Sequence, residues 1–183
     1  MGDAVDFDIA GPFDIEREKF KNGRLITKGS IDELWDELDD WHDGLAGAVG
    51  CYVFGIRAAK GIIPYYAGQA LKRPILDEAF NASNILKYNE ALADKKAGTP
   101  VLFVLPWLTT GGKYRKPSSV ESHPTLDFLE DWLIGAALQR NKNLINNKKT
   151  KFLRDVHVTG SFNATKGEHT TDSSQFNAMM WKS

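Results

Sequence analysis

Two tyrosines beside a short turn have the type and spacing to do chemistry. Tyr52 lies in an apolar segment, residues 48–57, and Tyr66 lies in the next one, residues 62–67. If the turn between them is tight, the two phenols are directly opposed on one face of a hairpin, because strand side chains alternate between faces. Paired phenols beside a strand end can bind a water molecule or a scissile phosphate. The alternative is an aromatic pair in a hydrophobic core.

The elements that must position these tyrosines follow from the hydrophobic pattern. Residues 48–57 are apolar on both faces and predict a central strand, and residues 62–67 predict its partner, with Pro64 as an unusual strand residue. Downstream, the pattern predicts a helix over 73–97, a strand over 100–108, a basic loop over 109–124, a helix from Pro124 to Asn141 and a strand over 151–159. The order β-β-α-β-α over 48–140 predicts an α/β fold with a small mixed or antiparallel central sheet flanked by helices.

The N-terminal residues predict an addition to this core. An Asn-Gly pair at Asn22 is typical of a tight hairpin turn and predicts a hairpin over residues 13–27. Ser30 and Glu33 have the spacing of a capping box and predict a helix with Ser30 at its N-cap, ended by the glycines at 44 and 47.

These elements predict one domain over residues 1–183. We expect an N-terminal decoration over 1–47, a core over 48–158 and a C-terminal strand and tail, with the tail over 159–183. The apolar end of the tail, residues 176–181, predicts a short docking segment.

Composition narrows the function classes. The chain has 183 residues, enough for one full hydrophobic core, and its net charge is −1. Residues 1–43 hold 13 acidic and 5 basic residues, a net of −8, whereas residues 44–183 hold 18 basic and 11 acidic residues, a net of +7. A basic body can attract phosphates although the whole chain is near neutral.

Several chemistries are excluded by missing motifs. The single cysteine, Cys51, excludes an internal disulfide and a cysteine-based zinc site, and it predicts a reducing, cytoplasmic compartment. No apolar run is long enough for a membrane helix. The sequence has no dinucleotide-binding or P-loop glycine motif, no H-E-x-x-H and no G-x-S-x-G, and its four histidines lack the spacing of metal ligands.

An ordered set of short motifs remains. It consists of Gly50-Cys51-Tyr52, Tyr66-Ala67-Gly68, Glu130 within a helical pattern, and Asn146 shortly after that helix. Over residues 50–146 this set, with its intervening helix and strand, resembles the GIY-YIG nuclease superfamily. Each tripeptide alone is a weak signal, whereas their order and spacing together are fairly specific.

The resemblance implies hydrolysis of a phosphodiester with one divalent metal, Mg²⁺ or Mn²⁺. Glu130 would be the sole protein ligand of the metal, Tyr52 a general base or proton relay, and Tyr66 a group that positions water or phosphate. Asn146, or alternatively Asn147, would order the site by hydrogen bonding. The implied partner is nucleic acid, DNA in preference to RNA.

One residue of the family pattern is displaced. The arginine that clamps the phosphate early on the first helix would fall at Leu76 or Asp77. Arg73 is the nearest candidate to replace it, and Lys72 and Lys87 are fallbacks. A lysine is an imperfect substitute because its ammonium is a point charge and cannot clamp a phosphate bidentately.

Basic residues around these motifs predict a track for phosphates. They are Lys113, Arg115 and Lys116 in the 109–124 loop, and Arg140, Lys142, Lys148 and Lys149 after the second helix. The alternative is a set of solvated lysines. At the level of the whole protein, the alternative to an endonuclease is a GIY-YIG-like module that has lost catalysis and binds nucleic acid or another protein.

Overall fold

The structure is a computed structural model that describes residues 5–21, 23–93, 98–119, 122–146, 150 and 170–181. The chain divides into two compact units, residues 1–146 and 147–183. The first unit contains the sheet and the helices that surround it.

The elements of the first unit confirm the predicted α/β class, and over residues 48–140 their order is β-β-α-α-β-α, because two helices stand where one was predicted. In chain order they are β1 (Ala10–Asp14), β2 (Glu18–Phe20), β3 (Gly23–Leu25), α1 (Gly29–Trp41), β4 (Gly50–Ala58), β5 (Gly61–Ala70), α2 (Ile75–Ala79), α3 (Ala82–Ala93), β6 (Thr99–Pro106) and α4 (Pro124–Arg140). Pro124 opens α4 and Asn141 caps its C-terminus, as the pattern predicts.

The main sheet has four antiparallel strands in the order β1-β6-β4-β5. As its near-continuous apolar sequence predicts, β4 lies in the interior of the sheet. Tyr52 and Phe54 point to the face that packs on α1, α2 and α3 in the largest core cluster. Cys51 and its neighbours on the other face pack against α4.

Two N-terminal predictions need correction. Residues 13 and 14 belong to β1, which pairs with β6, so the predicted hairpin is confined to β2 and β3. Ser30 is not the N-cap of α1. Its N–H donates to Thr27 Oγ1 and its hydroxyl accepts from the Thr27 N–H, so the reciprocal capping bonds form three residues earlier than predicted.

The helix predicted over 73–97 is interrupted at Phe80–Asn81. The Asn81 side chain accepts a hydrogen bond from the Asn84 N–H and donates to the Glu78 carbonyl, which caps a new helix just as α2 ends. This break separates α2 from α3 and sets the direction in which the side chains of α3 point.

A β-bulge decides how the two tyrosines meet. Tyr52 lies opposite Gly68 and Tyr66 lies opposite Phe54, so the predicted direct opposition is wrong. The register shifts between Phe54 and Gly55 because β5 contains one extra residue, Tyr65. Without it Tyr66 would lie opposite Val53 and point to the other face. The bulge therefore places the two phenols diagonally on the same face, as the alternation of strand residues requires.

The outer edge of β5 at the bulge is covered by the segment that follows α4. Pro64, which has no N–H to leave unpaired, accepts a hydrogen bond from the Asn141 side chain through its carbonyl. The Tyr65 carbonyl accepts from the Ile145 N–H. Hydrogen bonds from this segment thus satisfy the irregular part of the edge strand.

Both tripeptide glycines are needed for close approach. A Cβ on Gly50, whose φ is +155°, would overlap the Leu105 carbonyl oxygen of β6. A Cβ on Gly68 would lie 2.5 Å from the Tyr52 hydroxyl oxygen, because the phenol ring lies directly over that glycine. The Tyr52 ring can cross β5 only where the strand has no side chain.

The second unit is described by its helix α5 (Thr171–Trp181). Thr170 and Ser173 exchange capping bonds at its start, and Met179 and Met180 are exposed. The strand predicted over 151–159 lies outside the described residues, and the predicted domain divisions at residues 47 and 158 stay predictions. Within the described part of the chain, no helix has the length and apolar character needed to cross a bilayer.

We expect Gly68→Ala to destabilise the protein by about 1–3 kcal/mol, because the new methyl group displaces the buried Tyr52 ring. Gly111→Ala is the matched control, since its nearest neighbour would be Thr109 Oγ1 at 3.9 Å and its change in the unfolded chain is the same. Thermal unfolding of both variants measures the difference. Equal stability of the two variants would show that the ring over Gly68 moves aside at no cost.

Candidate active site

The two tyrosines form a buried pair on the β4–β5 face. Their ring centroids are 6.2 Å apart, and the two ring planes are tilted by 33°. Tyr88 of α3 packs edge-on against Tyr66 and stacks on Phe54. Only 1 % of Tyr52 is exposed. The pair is thus part of the core as well as a candidate for chemistry, so the two interpretations of the sequence coexist in one structure.

A polar chain links the tyrosine pair to a cation. The amide nitrogen of Asn84, a buried residue on α3, donates to the Tyr52 hydroxyl at 3.1 Å. Its amide oxygen accepts from Lys87 Nζ, also at 3.1 Å. The same ammonium lies 5.0 Å from the centroid of the Tyr66 ring, in cation–π contact. Lys87 is therefore the cation that the structure brings to both phenols.

The surroundings of Tyr52 keep it protonated. Burial raises the pKa of Tyr52 well above its ordinary value, and Tyr88, Tyr66, Glu78 and Glu130 add to that rise. In this environment Tyr52 is a neutral phenol that donates and accepts hydrogen bonds. It can relay a proton or orient a water molecule, and it is not a resting phenolate base.

Tyr66 is affected by the same carboxylates. Burial raises the pKa of Tyr66 first, followed by the charges of Glu130 and Glu78, whereas its hydrogen bond with Tyr52 lowers it. Since Glu130 acts on both phenols, its carboxylate lies near enough to the pair to influence a reaction there.

Glu130 approaches the pair around the edge of the sheet. Gln69 lies opposite Cys51 and points to the α4 face, the face away from Tyr52. Its Nε2 donates to Asp127 Oδ1 at 2.6 Å and to Glu130 Oε2 at 3.2 Å. The phenol of Tyr52 reaches the same edge over the neighbouring Gly68. Carboxylates on one face and phenols on the other thus meet at the edge strand.

The chemistry of this donor set fits a hard divalent cation. Gln69 Oε1 is buried and has no hydrogen-bond partner among the described residues. It is an orphaned oxygen on the side chain that also contacts Asp127 and Glu130. Mg²⁺ takes oxygen ligands, uses one or two carboxylates and keeps several waters. The described residues contain no group of three or more His, Cys, Asp or Glu that could hold a metal, and a cation here would have two carboxylates, those of Asp127 and Glu130, and the Gln69 oxygen as its protein donors.

Asn146 supports β5 from outside. Its amide oxygen accepts from the Ala67 N–H at 3.0 Å and its amide nitrogen donates to the Ala67 carbonyl at 2.7 Å. The side chain therefore pairs with the middle residue of Tyr66-Ala67-Gly68 as a neighbouring strand would. Asn147, the alternative, lies outside the described residues.

The structure gives Arg73 a different partner from the one expected. Arg73 Nε lies 3.3 Å from Glu78 Oε2, and 57 % of the Arg73 side chain is exposed. Leu76, at the position of the family arginine, is fully buried in the core, and Asp77 is exposed. Lys87, expected only as a fallback, is the better placed of the candidate cations.

The other predicted basic residues lie at the surface. Lys72, Lys113, Arg115, Lys116, Arg140 and Lys142 are all exposed. Arg115 stacks on the Trp107 ring, 4.0 Å from its centroid, and Lys116 Nζ donates to the Gly44 carbonyl. Lys148 and Lys149 lie outside the described residues.

Two residues of the site are absent from the sequence prediction, although each carried a signal. Gln69 is a polar residue between Gly68 and Ala70, two residues beyond the end of the predicted strand. Asn84 occupies the buried stripe of α3 that continues with Tyr88 and Leu92. A polar side chain on a buried stripe needs a hydrogen-bond partner, and Asn84 finds Tyr52.

Comparison of the chain with protein-family models, with curated proteins and with solved structures found no match. The site is therefore interpreted from its own geometry and chemistry.

We expect Glu130→Gln to lower the pKa of Tyr66, because the carboxylate raises that pKa and the neutral amide does not. Ultraviolet titration of tyrosinate, with Tyr66→Phe to assign the signal, measures the change. The titration of Tyr66 should move to lower pH, and the exposed-helix control Asp36→Asn should leave it in place. An unchanged or higher pKa in Glu130→Gln would mean that Glu130 does not act on the tyrosine pair.

Proposed function

We propose that the protein is a metal-dependent endonuclease that hydrolyses phosphodiester bonds of nucleic acid, with DNA the expected substrate. The observation that carries the proposal is the meeting of a paired-phenol face with Lys87 on one side of β5 and Glu130 on the other. The motif set over residues 50–146 supports it independently. The fold alone would not, because one fold serves many functions.

In the proposed reaction a water molecule attacks phosphorus and the bond to the leaving ester oxygen breaks. The proton that the attacking water loses passes to solvent through the Tyr52 hydroxyl, which gives up its own proton as it accepts this one, and the leaving oxygen takes a proton from solvent. Tyr52 and Tyr66, both protonated, hold the attacking water or a phosphate oxygen by hydrogen bonds. Glu130 would hold Mg²⁺ or Mn²⁺, and Asp127 and the Gln69 amide oxygen would be the neighbouring oxygen donors. When bound, the metal supplies charge stabilisation for the phosphate and the leaving oxygen.

Lys87 takes the part of the displaced arginine in this proposal. Asn84 anchors its ammonium against the tyrosine pair, so the charge is held in position although a lysine side chain is flexible. A phosphate beside the phenols would gain a charge-assisted hydrogen bond from it. A single ammonium cannot form the paired hydrogen bonds of a guanidinium, and we expect a less strictly oriented phosphate.

The second candidate is a nucleic-acid-binding or protein-interaction module without catalysis. It is favoured by the burial of Leu76 at the arginine position and by the Arg73–Glu78 pair. The two functions differ in turnover. Both allow DNA binding, and only the enzyme requires Glu130 for cutting.

We expect the wild-type protein to cut plasmid DNA with Mg²⁺ or Mn²⁺, and Glu130→Ala to cut about 100-fold more slowly or worse, since a lost metal contact is worth several kcal/mol. Glu33→Ala, an exposed acid on α1, should cut like the wild type. A parallel assay on structured RNA decides the substrate class. No cutting by the wild type, or equal cutting by Glu130→Ala, would favour the second candidate.

We expect Lys87→Ala to reduce cleavage by roughly 10- to 100-fold and Arg73→Ala by only a few-fold, because an exposed ion pair contributes little. Lys87→Arg should retain part of the rate, and Lys60→Ala in the β4–β5 turn should match the wild type. The measurement is the initial rate at saturating metal. A larger loss of cleavage rate for Arg73→Ala than for Lys87→Ala would mean that Arg73, and not Lys87, binds the phosphate.

A further inference from the structure

A cavity of about 580 Å³ lies at the end of the sheet where β4 begins and β5 ends. Its wall includes Leu71, three residues beyond Gly68, and Val49, just before Gly50. It is a separate space from the phenol pair, because neither tyrosine nor Glu130 lines it. It nevertheless lies at the same end of the β4–β5 pair as Tyr52 and Gly68.

The polar lining of this cavity is basic. It contains three cationic side chains, one histidine and several hydroxyls: Lys113, Arg115, Lys116, His123, Thr109, Tyr114 and Ser118. Among its described lining residues there is no Asp or Glu. Asp8, whose charge helps to raise the pKa of Tyr114, lies outside the lining, and Glu121 is outside the described residues.

The basic loop that forms the wall is ordered by its own hydrogen bonds. Thr109 and Lys113 are joined by a backbone bond, and Arg115 N–H donates to the Trp107 carbonyl, which makes 107–115 a short hairpin. The Ser118 N–H donates to the Leu71 carbonyl and ties the loop to the end of β5. The positions of the cations are therefore set before a ligand arrives, which reduces the cost of binding.

Individual side chains are also held in place. The Arg115 guanidinium stacks on Trp107, and the Lys116 ammonium contacts the Gly44 carbonyl. His123 packs edge-on against Trp107, and its Nδ1 is buried without a hydrogen-bond partner among the described residues. A buried nitrogen without a partner beside three cations suits a ligand rich in oxygen.

We propose that this cavity binds a phosphate group of the nucleic acid, other than the one that is cleaved. The proposal rests on the proposed function for the identity of the ligand. Phosphate contacts fix the register of a protein on nucleic acid without reading its sequence. A second phosphate held here would place the scissile one at the edge of β5, beside Tyr52 and Glu130. The phosphate can come from a strand end or from an internal phosphodiester.

The test measures binding without turnover. A labelled short DNA duplex is titrated with Lys113→Gln/Lys116→Gln by fluorescence anisotropy in EDTA at several salt concentrations. The affinity should fall, and the slope of log K against log salt should become shallower by about 0.9 for each lost phosphate contact. Lys28→Gln/Lys60→Gln, with the same charge change at exposed positions, is the control. Equal loss in both pairs, or none in either, would overturn the cavity as a site.

A second variant guards against a change in folding. Lys113→Glu leaves the Lys116–Gly44 contact intact. It lowers the net charge by two units, as the double variant does, and should weaken DNA binding at least as strongly. Unchanged binding by this variant would contradict the proposal.

Duplexes with 5′-phosphate and 5′-hydroxyl ends distinguish the two sources of phosphate. If the ligand is a strand-end phosphate, the variant loses the preference of the wild type for the phosphorylated duplex. If the ligand is an internal phosphodiester, the variant loses affinity for both duplexes equally. Either result supports the site.

The same proteins tested with Mg²⁺ separate the two proposals. If the wild type binds DNA but does not cut it, the endonuclease proposal fails and the proposal that the cavity binds phosphate stands. If the wild type cuts DNA but Lys113→Gln/Lys116→Gln binds it as tightly as the control pair does, the cavity proposal fails and the endonuclease proposal stands.

Discussion

The candidate site depends on the passage of the Tyr52 ring over Gly68 at the edge strand. The ring can lie there only because residue 68 has no side chain and because the bulge at Tyr65 turns Tyr66 to the same face. Once the ring is in this position, its hydroxyl is buried and needs a hydrogen-bond partner, and the Asn84 amide supplies one. The hydroxyl also reaches the edge where Gln69 holds Asp127 and Glu130. Backbone geometry, core packing and candidate chemistry thus meet at one glycine.

Negative charge exceeds positive charge around the two phenols. Glu78 and Glu130 raise the pKa values of both phenols, and burial raises them further. Such surroundings hold the phenols neutral and repel a phosphate. Lys87 offsets part of this field on one face, and a divalent cation at Glu130 would offset the rest on the other. These charges would therefore favour a phosphate accompanied by a divalent cation over a free anion. The uncompensated negative charge lies at the edge of β5.

Much of the fold could be predicted because it follows from hydrophobic pattern. The central position of β4 and the helix from Pro124 to Asn141 each depend on local periodicity, whereas the shared face of Tyr52 and Tyr66 depends on the bulge at Tyr65. The errors arose where one residue overrides that periodicity. Tyr65 adds a residue to β5 and shifts the register, and Asn81 caps a new helix inside an apolar pattern that continues past it.

The residues of the candidate site divide into those that motif spacing can propose and those that it cannot. Tyr52, Tyr66, Glu130 and Asn146 could be proposed from motif spacing, and the structure gives Asn146 a defined place against Ala67. Lys87, Asn84 and Gln69 depend on side-chain directions that spacing does not provide. Arg73 stays a predicted cation of the site, and in the structure its guanidinium lies beside Glu78.

The helix break at Asn81 explains why Leu76 occupies the position where an arginine was expected and why Lys87 lies near the tyrosines instead. In the pattern that the motifs resemble, the phosphate-binding arginine lies in the early turns of the helix after the second strand; here those turns are the five residues of α2, and Leu76 is buried in the core. The new helix begins at Ala82 and points Asn84, Lys87 and Tyr88 toward the tyrosine pair. The capping of α3 therefore moves the available cation from the first helix to the second. The change replaces a bidentate group by a point charge and adds a buried amide that fixes the charge in place. If the proposed function is correct, the affinity of this site for phosphate would depend on Asn84 as much as on Lys87, because among the described residues the amide is the hydrogen-bond acceptor that holds the ammonium beside the Tyr66 ring.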